Sequence, residues 1–252
     1  MKLYEALDLK QRAVAALVGG GGKTSIMYRL AEEIPASCRV LVTTTTKMFA
    51  PDRIGYPCFY TNEEGYKDEF LIKALQSGKR PVLASVRIKE NNKLDGVKPQ
   101  TLAALFKAGQ VDFMLVEADG SKGRPLKGHL EYEPVIPEIT TRLIIVIGAD
   151  VLGRPLDSEY VHRPEIVAEL TGQEMGTVVK PDTIARLIKH PGGILRTSPA
   201  AAENIAIINK IDCLGSLDEA YETARLLKKG SGISKVILCS MRSENPVADI
   251  IE

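Results

Sequence analysis

Residues 13–30, AVAALVGGGGKTSIMYRL, decide the fold. An apolar run leads into a short polar loop and then a segment of helical composition, and the loop consists of Gly19, Gly20, Gly21, Gly22, Lys23, Thr24 and Ser25. The first N–H groups of a helix lack partners inside the helix, and the helix dipole adds partial positive charge there, so phosphate oxygens bind at this point. Strand, glycine loop and helix together predict a nucleotide phosphate site, with Lys23 on the β- and γ-phosphates and Thr24 on Mg²⁺. The alternative is a glycine-rich turn with an exposed lysine.

This loop is shorter than the common phosphate loop, in which the first glycine stands six positions before the lysine. Leu17 occupies that position here, and the glycines begin only at Gly19. The spacing Gly-x-x-Gly-Lys-Thr resembles the nucleotide loop of the Mur ligases, which bind ATP. The resemblance implies that the shortened loop still surrounds phosphate groups.

Apolar runs and amphipathic segments alternate through the rest of the chain. The runs are AVAALV (13–18), RVLVT (39–43), PVLAS (81–85), VDFMLVEA (111–118), RLIIVIGA (142–149), NIAIIN (204–209) and KVILCS (235–240). Several are uninterrupted, which is typical of strands buried on both faces of a parallel sheet. Between them we predict helices at Thr24–Ile34, Glu63–Gly78, Pro99–Ala108 and Leu217–Lys229.

The alternation predicts an α/β fold: a doubly wound, mostly parallel sheet of the P-loop NTPase type, in one domain spanning residues 1–252. The pattern changes between Leu152 and Ser198. Two helical segments, RPEIVAELTG and PDTIARLIKHPGG, occur there with no convincing strand between them. We therefore expect a small helical insert at 152–198, placed before the last two strands.

Composition narrows the class of protein. The chain has 33 Lys and Arg against 32 Asp and Glu, a net charge of +1, so the basic excess of a nucleic-acid-binding protein is missing. No apolar run has the length of a membrane span, and the N-terminal segment carries charges where a signal peptide would be apolar. We expect a cytoplasmic protein that binds neither nucleic acid nor membrane. The scattered cysteines and histidines show no transition-metal ligand spacing.

Two acids end the apolar strand in VDFMLVEADGSKGRPLKGHL (111–130). Phosphate-loop proteins place an acid at the tip of a neighbouring strand, where it holds Mg²⁺. Glu117 and Asp119 are two residues apart and therefore share one face of an extended strand. We expect both to be metal ligands together with Thr24, and catalytic together with Lys23. The stretch Glu-Ala-Asp-Gly resembles the Glu-x-x-Gly element of the metallochaperone GTPases.

Polar and mostly cationic residues follow these acids: Ser121, Lys122, Arg124, Lys127 and His129. They are candidates to hold an anionic substrate or the γ-phosphate. The alternative is a solvated surface loop.

A threonine run closes the second apolar strand in RVLVTTTTKMFAPD (39–52). Threonine suits strand ends through its β-branched side chain, which is one explanation of the run. The run also passes beyond the strand, toward the edge where ligands collect in such sheets. We therefore name Thr45 or Thr46 as a candidate ligand of Mg²⁺ or of the γ-phosphate, and both, with Lys47 directly after them, as candidates to bind an anion.

A base-reading motif is the remaining candidate. Asn209, Lys210 and Asp212 form Asn-Lys-x-Asp at the end of an apolar strand, and this resembles the guanine-specificity motif of GTPases. A carboxylate accepts hydrogen bonds from both guanine N–H donors, whereas adenine offers no such pair and leaves the carboxylate unpaired. Ser240 ends the next strand and resembles the last GTPase element, which packs on the base. The alternative is a turn in which Asp212 caps the next helix.

The segments VGGGGKTS, VLVTTTTKM, LVEADGSKGRPLKGHLEYEPVIP, GADVLGRPLDSEYVHRPEIVAELTG and IINKID together resemble the YqeC family. The resemblance covers nearly the whole chain, and EADGSKGRPLK is its most specific part. It implies an accessory role for selenium-dependent molybdenum hydroxylases, and hence such a hydroxylase or its cofactor-assembly proteins as partners. It also implies that Arg154, His162 and Arg163 lie at the mouth of the site.

Three functions fit these motifs, all with Mg²⁺ and GTP or ATP as cofactors. The first is a GTP-hydrolysing maturation factor, favoured by Asn209–Asp212. The second is an ATP- or GTP-dependent kinase or ligase acting on an acidic acceptor, favoured by the loop spacing. The third is a nucleotide-bound scaffold with little turnover. Since the sequence has no obvious arginine finger or water-orienting glutamine, hydrolysis by itself is expected to be slow.

Overall fold

The large sheet is built from the predicted apolar runs. The computed structural model describes residues 1–9, 12–52, 55–230 and 232–252. Its main sheet contains β1 (Ala13–Gly19), β2 (Val40–Thr44), β4 (Cys58–Tyr60), β5 (Val82–Ala84), β8 (Phe113–Glu117), β10 (Arg142–Gly148), β12 (Glu203–Asn209), β13 (Lys235–Cys239) and β14 (Val247–Ile251). The order is β14-β13-β12-β10-β1-β8-β2-β5-β4, and every pair is parallel except β13 with β14.

Two small sheets accompany the large one. The first is antiparallel and contains β3 (Met48–Phe49), β6 (Arg87–Ile88) and β7 (Lys93–Leu94) in the order β3-β7-β6. The second is a parallel pair of β9 (Leu126–Lys127) and β11 (Val161–His162). The first small sheet lies beside the threonine run, and the second joins the insert to the chain after β8.

Helices cover both faces of the large sheet. They are α1 (Leu3–Ala6), α2 (Lys23–Glu33), α3 (Asp68–Gln76), α4 (Pro99–Lys107), α5 (Pro164–Thr171), α6 (Pro181–Lys189) and α7 (Asp218–Lys228). Apolar residues of α1 and α2 belong to one core, and those of α3 to α7 belong to the other.

Strand β1 shows why these runs are uninterrupted. All seven of its residues are buried. Val14, Ala16 and Val18 contribute to one core, whereas Ala15 and Leu17 contribute to the core on the opposite face. Alternate side chains of a strand point to opposite faces, so a strand with a core on each side has no solvent-facing position. The prediction of a doubly wound, mostly parallel α/β sheet is confirmed.

The insert prediction needs correction in two details. Residues 152–198 do contain two helices, α5 and α6, and no strand lies between them. Three strands follow the insert rather than two, because the short antiparallel β14 was not predicted. The insert also contributes β11, whose two residues pair with Leu126 and Lys127.

Among the described residues, no helix combines the length and the apolar character needed to cross a lipid bilayer.

Candidate nucleotide-binding site

The glycine loop connects β1 to α2 and has a backbone that only glycine adopts readily. Gly19, Gly21 and Gly22 have φ angles of +94°, +86° and +114°. A Cβ atom on Gly21 would lie 2.1 Å from the backbone nitrogen of Gly148. The loop therefore curls tightly against the end of β10, and a side chain here would push the two backbones apart.

Neighbouring segments hold the loop through its backbone. Arg124 accepts a hydrogen bond from the N–H of Gly21 at 3.0 Å, and a Cβ on Gly20 would lie 2.4 Å from the same carbonyl oxygen. The structure thus places Arg124 beside the phosphate loop, where its carbonyl group contacts the loop.

Lys23 and Thr24 begin α2 and make the contacts that define the site. The Lys23 ammonium donates to the carbonyl oxygen of Gly19 at 2.6 Å, and only 4% of the residue is exposed. The alternative of a turn with an exposed lysine is therefore wrong. Thr24 donates its hydroxyl to Glu117 Oε2 at 2.7 Å, while Ser25 is exposed.

The Thr24–Glu117 contact has the chemistry of a Mg²⁺ site. Mg²⁺ takes oxygen ligands, and it is commonly bound by one or two carboxylates together with substrate phosphates and waters. Among the described residues, no group of three or more His, Cys, Asp or Glu side chains is arranged to hold a metal. The Thr24 hydroxyl and the Glu117 carboxylate are the two oxygen-bearing side chains here that could contribute to such a site. Burial raises the pKa of Glu117.

Asp119 lies in a different set of contacts, which we call the buried charge network: Lys23, Asp119, Lys127, His129 and Glu133. Asp119 is fully buried and accepts the backbone N–H of Gly19 at 3.0 Å. Its carboxylate lies 3.1 Å from the Lys23 ammonium and 2.6 Å from His129 Nε2. Glu117 therefore contacts Thr24, whereas Asp119 contacts the loop and its lysine.

The ionisation of Asp119 follows from these partners. Burial alone would raise the pKa of its carboxyl group, but Lys23, the His129 hydrogen bond and Lys127 together hold that pKa below the ordinary value. Burial lowers the pKa of His129, against the effect of Asp119. An ionised carboxylate can only accept, so the hydrogen bond runs from the N–H of His129 Nε2 to Asp119.

Lys127 differs from its expected role as an anion-holding residue. Its side chain is fully buried, and its ammonium lies 3.3 Å from Asp119 and 3.0 Å from Glu133. It also donates to the carbonyl oxygen of Gly120 at 2.8 Å. Since these groups already take up its charge, Lys127 does not face an incoming anion. The alternative of a solvated loop is equally wrong for Lys127 and His129, because both are buried.

Asn209 ties the Asn-Lys-x-Asp motif to the glycine loop. Its side-chain amide donates to the carbonyl oxygen of Gly21 at 2.9 Å, and its amide oxygen accepts the N–H of Met241 at 3.3 Å. Lys210, in a left-handed conformation with φ +66°, pairs with Asp150 at 2.7 Å. The motif, the loop and the end of β13 therefore form one connected edge.

Asp212 does not cap a helix. Helix α7 begins at Asp218, whose N–H donates to the Ser216 hydroxyl at 3.2 Å. The Asp212 carboxylate instead accepts the hydroxyl of Ser240 at 2.6 Å, and the residue is exposed. Ser240 thus holds an accessible carboxylate in place at the carboxyl end of the sheet.

The side chains of the threonine run differ in whether they have a hydrogen-bond partner. Thr45 donates its hydroxyl to the carbonyl oxygen of Val135 at 2.6 Å, so it is not available as a ligand. The hydroxyl of Thr46 is buried and has no hydrogen-bond partner among the described residues. Lys47 is exposed. Of the two threonines named from the sequence, Thr46 therefore remains the candidate ligand.

A cleft of about 440 Å³ opens beside the phosphate loop. From the loop, Lys23 and Thr24 line it; the sequence-predicted Thr46, Lys47, Glu117 and Lys122 line it as well. His162 and Arg163 also reach the cleft, as the family resemblance implies. Arg154 does not line it and instead lies over the ring of Tyr160, 5.3 Å from the ring centroid.

Sequence analysis missed three charged or aromatic residues among those that line the cleft: Phe49, Lys93 and Glu133. Glu133 pairs with Arg163 at 2.6 Å. Phe49 and Lys93 lie in the small antiparallel sheet, in contact with each other. Nothing in the polar stretch around Lys93 signals proximity to the glycine loop, because the contact depends on how the small sheet folds over β2.

Comparison with known proteins identifies the family of the chain. The sequence profile of the YqeC protein family matches residues 15–165. The YqeC protein of Escherichia coli (strain K12) is 34% identical over 204 residues, covering 80% of this chain and 77% of the relative. No solved structure gave a significant match. The matched region contains the glycine loop, Glu117 and the cleft residues, and the chain belongs to the YqeC family.

Proposed function

We propose that this protein binds a Mg²⁺-complexed purine nucleoside triphosphate, GTP in preference to ATP, and hydrolyses it slowly. The observation that carries the proposal is the contact between Thr24 and Glu117, 2.7 Å apart, at the end of a glycine loop that opens a helix. In this role Thr24 and Glu117 hold the ion, and Lys23 leaves the Gly19 carbonyl to reach the phosphates. Asp119 positions Lys23 and the loop.

The preference for GTP rests on Asp212. Its carboxylate is accessible and oriented by Ser240, and Asn209 links the same edge to Gly21. Guanine presents two N–H donors to such a carboxylate, and adenine presents none, so ATP would leave it unpaired.

Slow turnover is part of the proposal because the sequence has no obvious arginine finger or water-orienting glutamine. Rapid hydrolysis needs a residue that orients water and a cation that stabilises the transition state, and GTPases often receive the cation from a partner protein. The accessory role that the resemblance to the YqeC family implies supports the further proposal that this protein is a maturation factor for a selenium-dependent molybdenum hydroxylase. The hydroxylase or one of its cofactor-assembly proteins would supply the missing group.

A calorimetric titration with Mg·GTP and Mg·ATP tests the base preference. GTP is expected to bind more tightly. The variant Asp212→Asn should lose about 10- to 100-fold in GTP affinity, since hydrogen bonds to a charged group contribute about 1.5–3 kcal/mol, and it should gain affinity for xanthosine triphosphate. Asp218→Asn, which changes an exposed acid at the start of α7, serves as the matched control. Equal affinity of the two natural nucleotides, unchanged in Asp212→Asn, would remove the base-reading role.

A kinase or ligase is the second candidate, and the cationic cleft favours it. Phosphate release from Mg·GTP, measured with and without an added acceptor, distinguishes a hydrolase from a kinase or ligase. A hydrolase releases inorganic phosphate at a low steady rate without any added molecule, whereas a kinase or ligase releases it only when an acceptor is present. A scaffold releases none in either case.

A further inference from the structure

The strand order fixes the direction in which a nucleotide would lie. Asn209 ends β12 and Asp212 follows it, and β12 is two strands from β1 on one side. Glu117 ends β8 and Thr46 follows β2, on the other side of β1. Neighbouring strands lie about 4.8 Å apart, so a base at β12 and phosphates at β1 direct the terminal phosphate toward β8 and β2. One end of the cleft, lined by Lys23, Thr24 and Glu117, would receive that phosphate, and the cleft continues from there along other residues.

Charges in the cleft are unbalanced. Its two carboxylates are already engaged, because Glu117 accepts from Thr24, and Glu133 pairs with Lys127 and Arg163. Three further cations line the cleft: Lys47, Lys93 and Lys122. None of the three has an ion pair with another described residue. Lys93 lies over the Phe49 ring, 4.9 Å from its centroid, which holds the ammonium at the cleft wall without neutralising it.

Two neighbouring groups also favour a ligand in the cleft, one by an unsatisfied hydroxyl and the other by the positive charge around it. The Thr46 hydroxyl lines the cleft and is buried without a hydrogen-bond partner among the described residues, a condition that a ligand would relieve. His162 also lines the cleft, and burial together with the charges of Arg163, Lys127 and Lys122 lowers its pKa to about 4. An anion in the cleft would meet three ammonium groups and one free hydroxyl.

We propose that this cleft is a second binding site, which takes a small anionic molecule bearing a carboxylate or phosphate group and holds it through Lys47, Lys93 and Lys122 beside the terminal phosphate of the nucleotide. The position of the nucleotide rests on the function proposed above. The three lysines are independent of that position, because they belong to the segment after β2, the small antiparallel sheet and the loop after β8 rather than to the glycine loop. Lys127 and His129 are excluded as ligands by their burial and pairing.

The test uses the full chain saturated with Mg²⁺ and a non-hydrolysable GTP analogue, so that the phosphate loop is filled. Inorganic phosphate and malonate are then titrated separately by calorimetry, which distinguishes a phosphate-bearing from a dicarboxylate ligand. At least one of them should bind. Lys93→Gln and Lys122→Gln should each weaken that binding about three- to tenfold, and their combination at least tenfold. Lys89→Gln, an exposed lysine close to Lys93 that does not line the cleft, should leave it unchanged.

Three results would overturn the proposal. They are no binding of either anion to the nucleotide-loaded protein, binding that Lys93→Gln and Lys122→Gln do not weaken, and an equal loss in Lys89→Gln. Circular dichroism melting of each variant establishes that the fold is retained, and Lys122→Gln lies on an exposed loop where the change is tolerated most easily. If the analogue fails to bind, the proposed function falls. In that case the same titrations on the unliganded protein test the anion site separately, by whether Lys93→Gln and Lys122→Gln weaken anion binding.

Discussion

Replacing Asp119 by asparagine distinguishes a stabilising role of this acid in the buried charge network from a role as a metal ligand. Asparagine keeps the size and an oxygen that can accept the Gly19 N–H, but it removes the negative charge beside Lys23 and Lys127. Breaking a buried ion pair by removing one partner costs about 3–5 kcal/mol, because a charge is left uncompensated. Lys127 still has Glu133 at 3.0 Å, and Lys23 still has the Gly19 carbonyl at 2.6 Å.

The expected cost is therefore near the lower limit, about 3 kcal/mol of unfolding free energy. That is a large part of the roughly 5–15 kcal/mol of a typical protein, and for a chain of this size it corresponds to a melting temperature about 6–12 °C lower. Equilibrium unfolding in urea, without nucleotide or Mg²⁺, measures it directly. Asp112→Asn is the control, since Asp112 pairs with Arg39 at 2.6 Å near the surface, where such pairs contribute about 1 kcal/mol at most.

The alternative is that Asp119 acts as a metal ligand. A carboxylate whose main role is to bind Mg²⁺ contributes little to the metal-free fold, so its removal would leave urea unfolding unchanged and abolish only the stabilisation by Mg·GTP. A cost for Asp119→Asn no greater than that of Asp112→Asn would refute the buried charge network as a stabilising unit.

Three further predictions concern the loop and its surroundings. Asn209→Ala removes the amide that donates to Gly21, and it should lower the unfolding free energy by about 1–3 kcal/mol in urea and weaken nucleotide binding in calorimetry; unchanged stability would show that the tie is dispensable. Gly21→Ala has no room beside Gly148 and a φ of +86°, so it should abolish nucleotide binding, whereas Gly109→Ala, also at positive φ but with open space around it, should affect stability only. In an NMR titration, His162 should titrate with a pKa of about 4. Since the same histidine in the unfolded chain takes up its proton at about pH 6.5, the unfolding free energy should fall as the pH drops from about 6.5 to about 4. A midpoint near 6.5 would contradict the burial and the neighbouring charges described above.

Local patterns were sufficient to predict most of the scaffold. The seven apolar runs became strands of the large sheet, because strands buried on both faces need apolar residues at every position. The glycine loop was equally accessible, since its composition, the preceding strand and the following helix are contiguous in sequence. β4 and β14 were missed: they are short edge strands with partly exposed residues, and their pairing rather than their composition defines them.

The roles of individual side chains were less accessible. Lys127 looks like any basic loop residue in sequence, and it is buried only because the chain returns after β8 and brings Asp119 and Glu133 around it. Thr45 and Thr46 are adjacent and chemically identical, yet Val135 engages the first and leaves the second. Such differences arise from contacts between segments far apart in sequence, and the spacing of apolar residues along the chain does not predict these contacts.

The position of β1 has a consequence for the order in which the chain acquires its shape. Its neighbours, β8 and β10, come from much later in the sequence, and the Asn209 tie to Gly21 spans 188 positions. Contacts of such separation form slowly, because a long stretch of chain must close before they are made. During synthesis, the residues of the glycine loop leave the ribosome when less than a third of the chain has been made. The loop gains its curvature only when strands from the middle and the far end of the chain have arrived beside it.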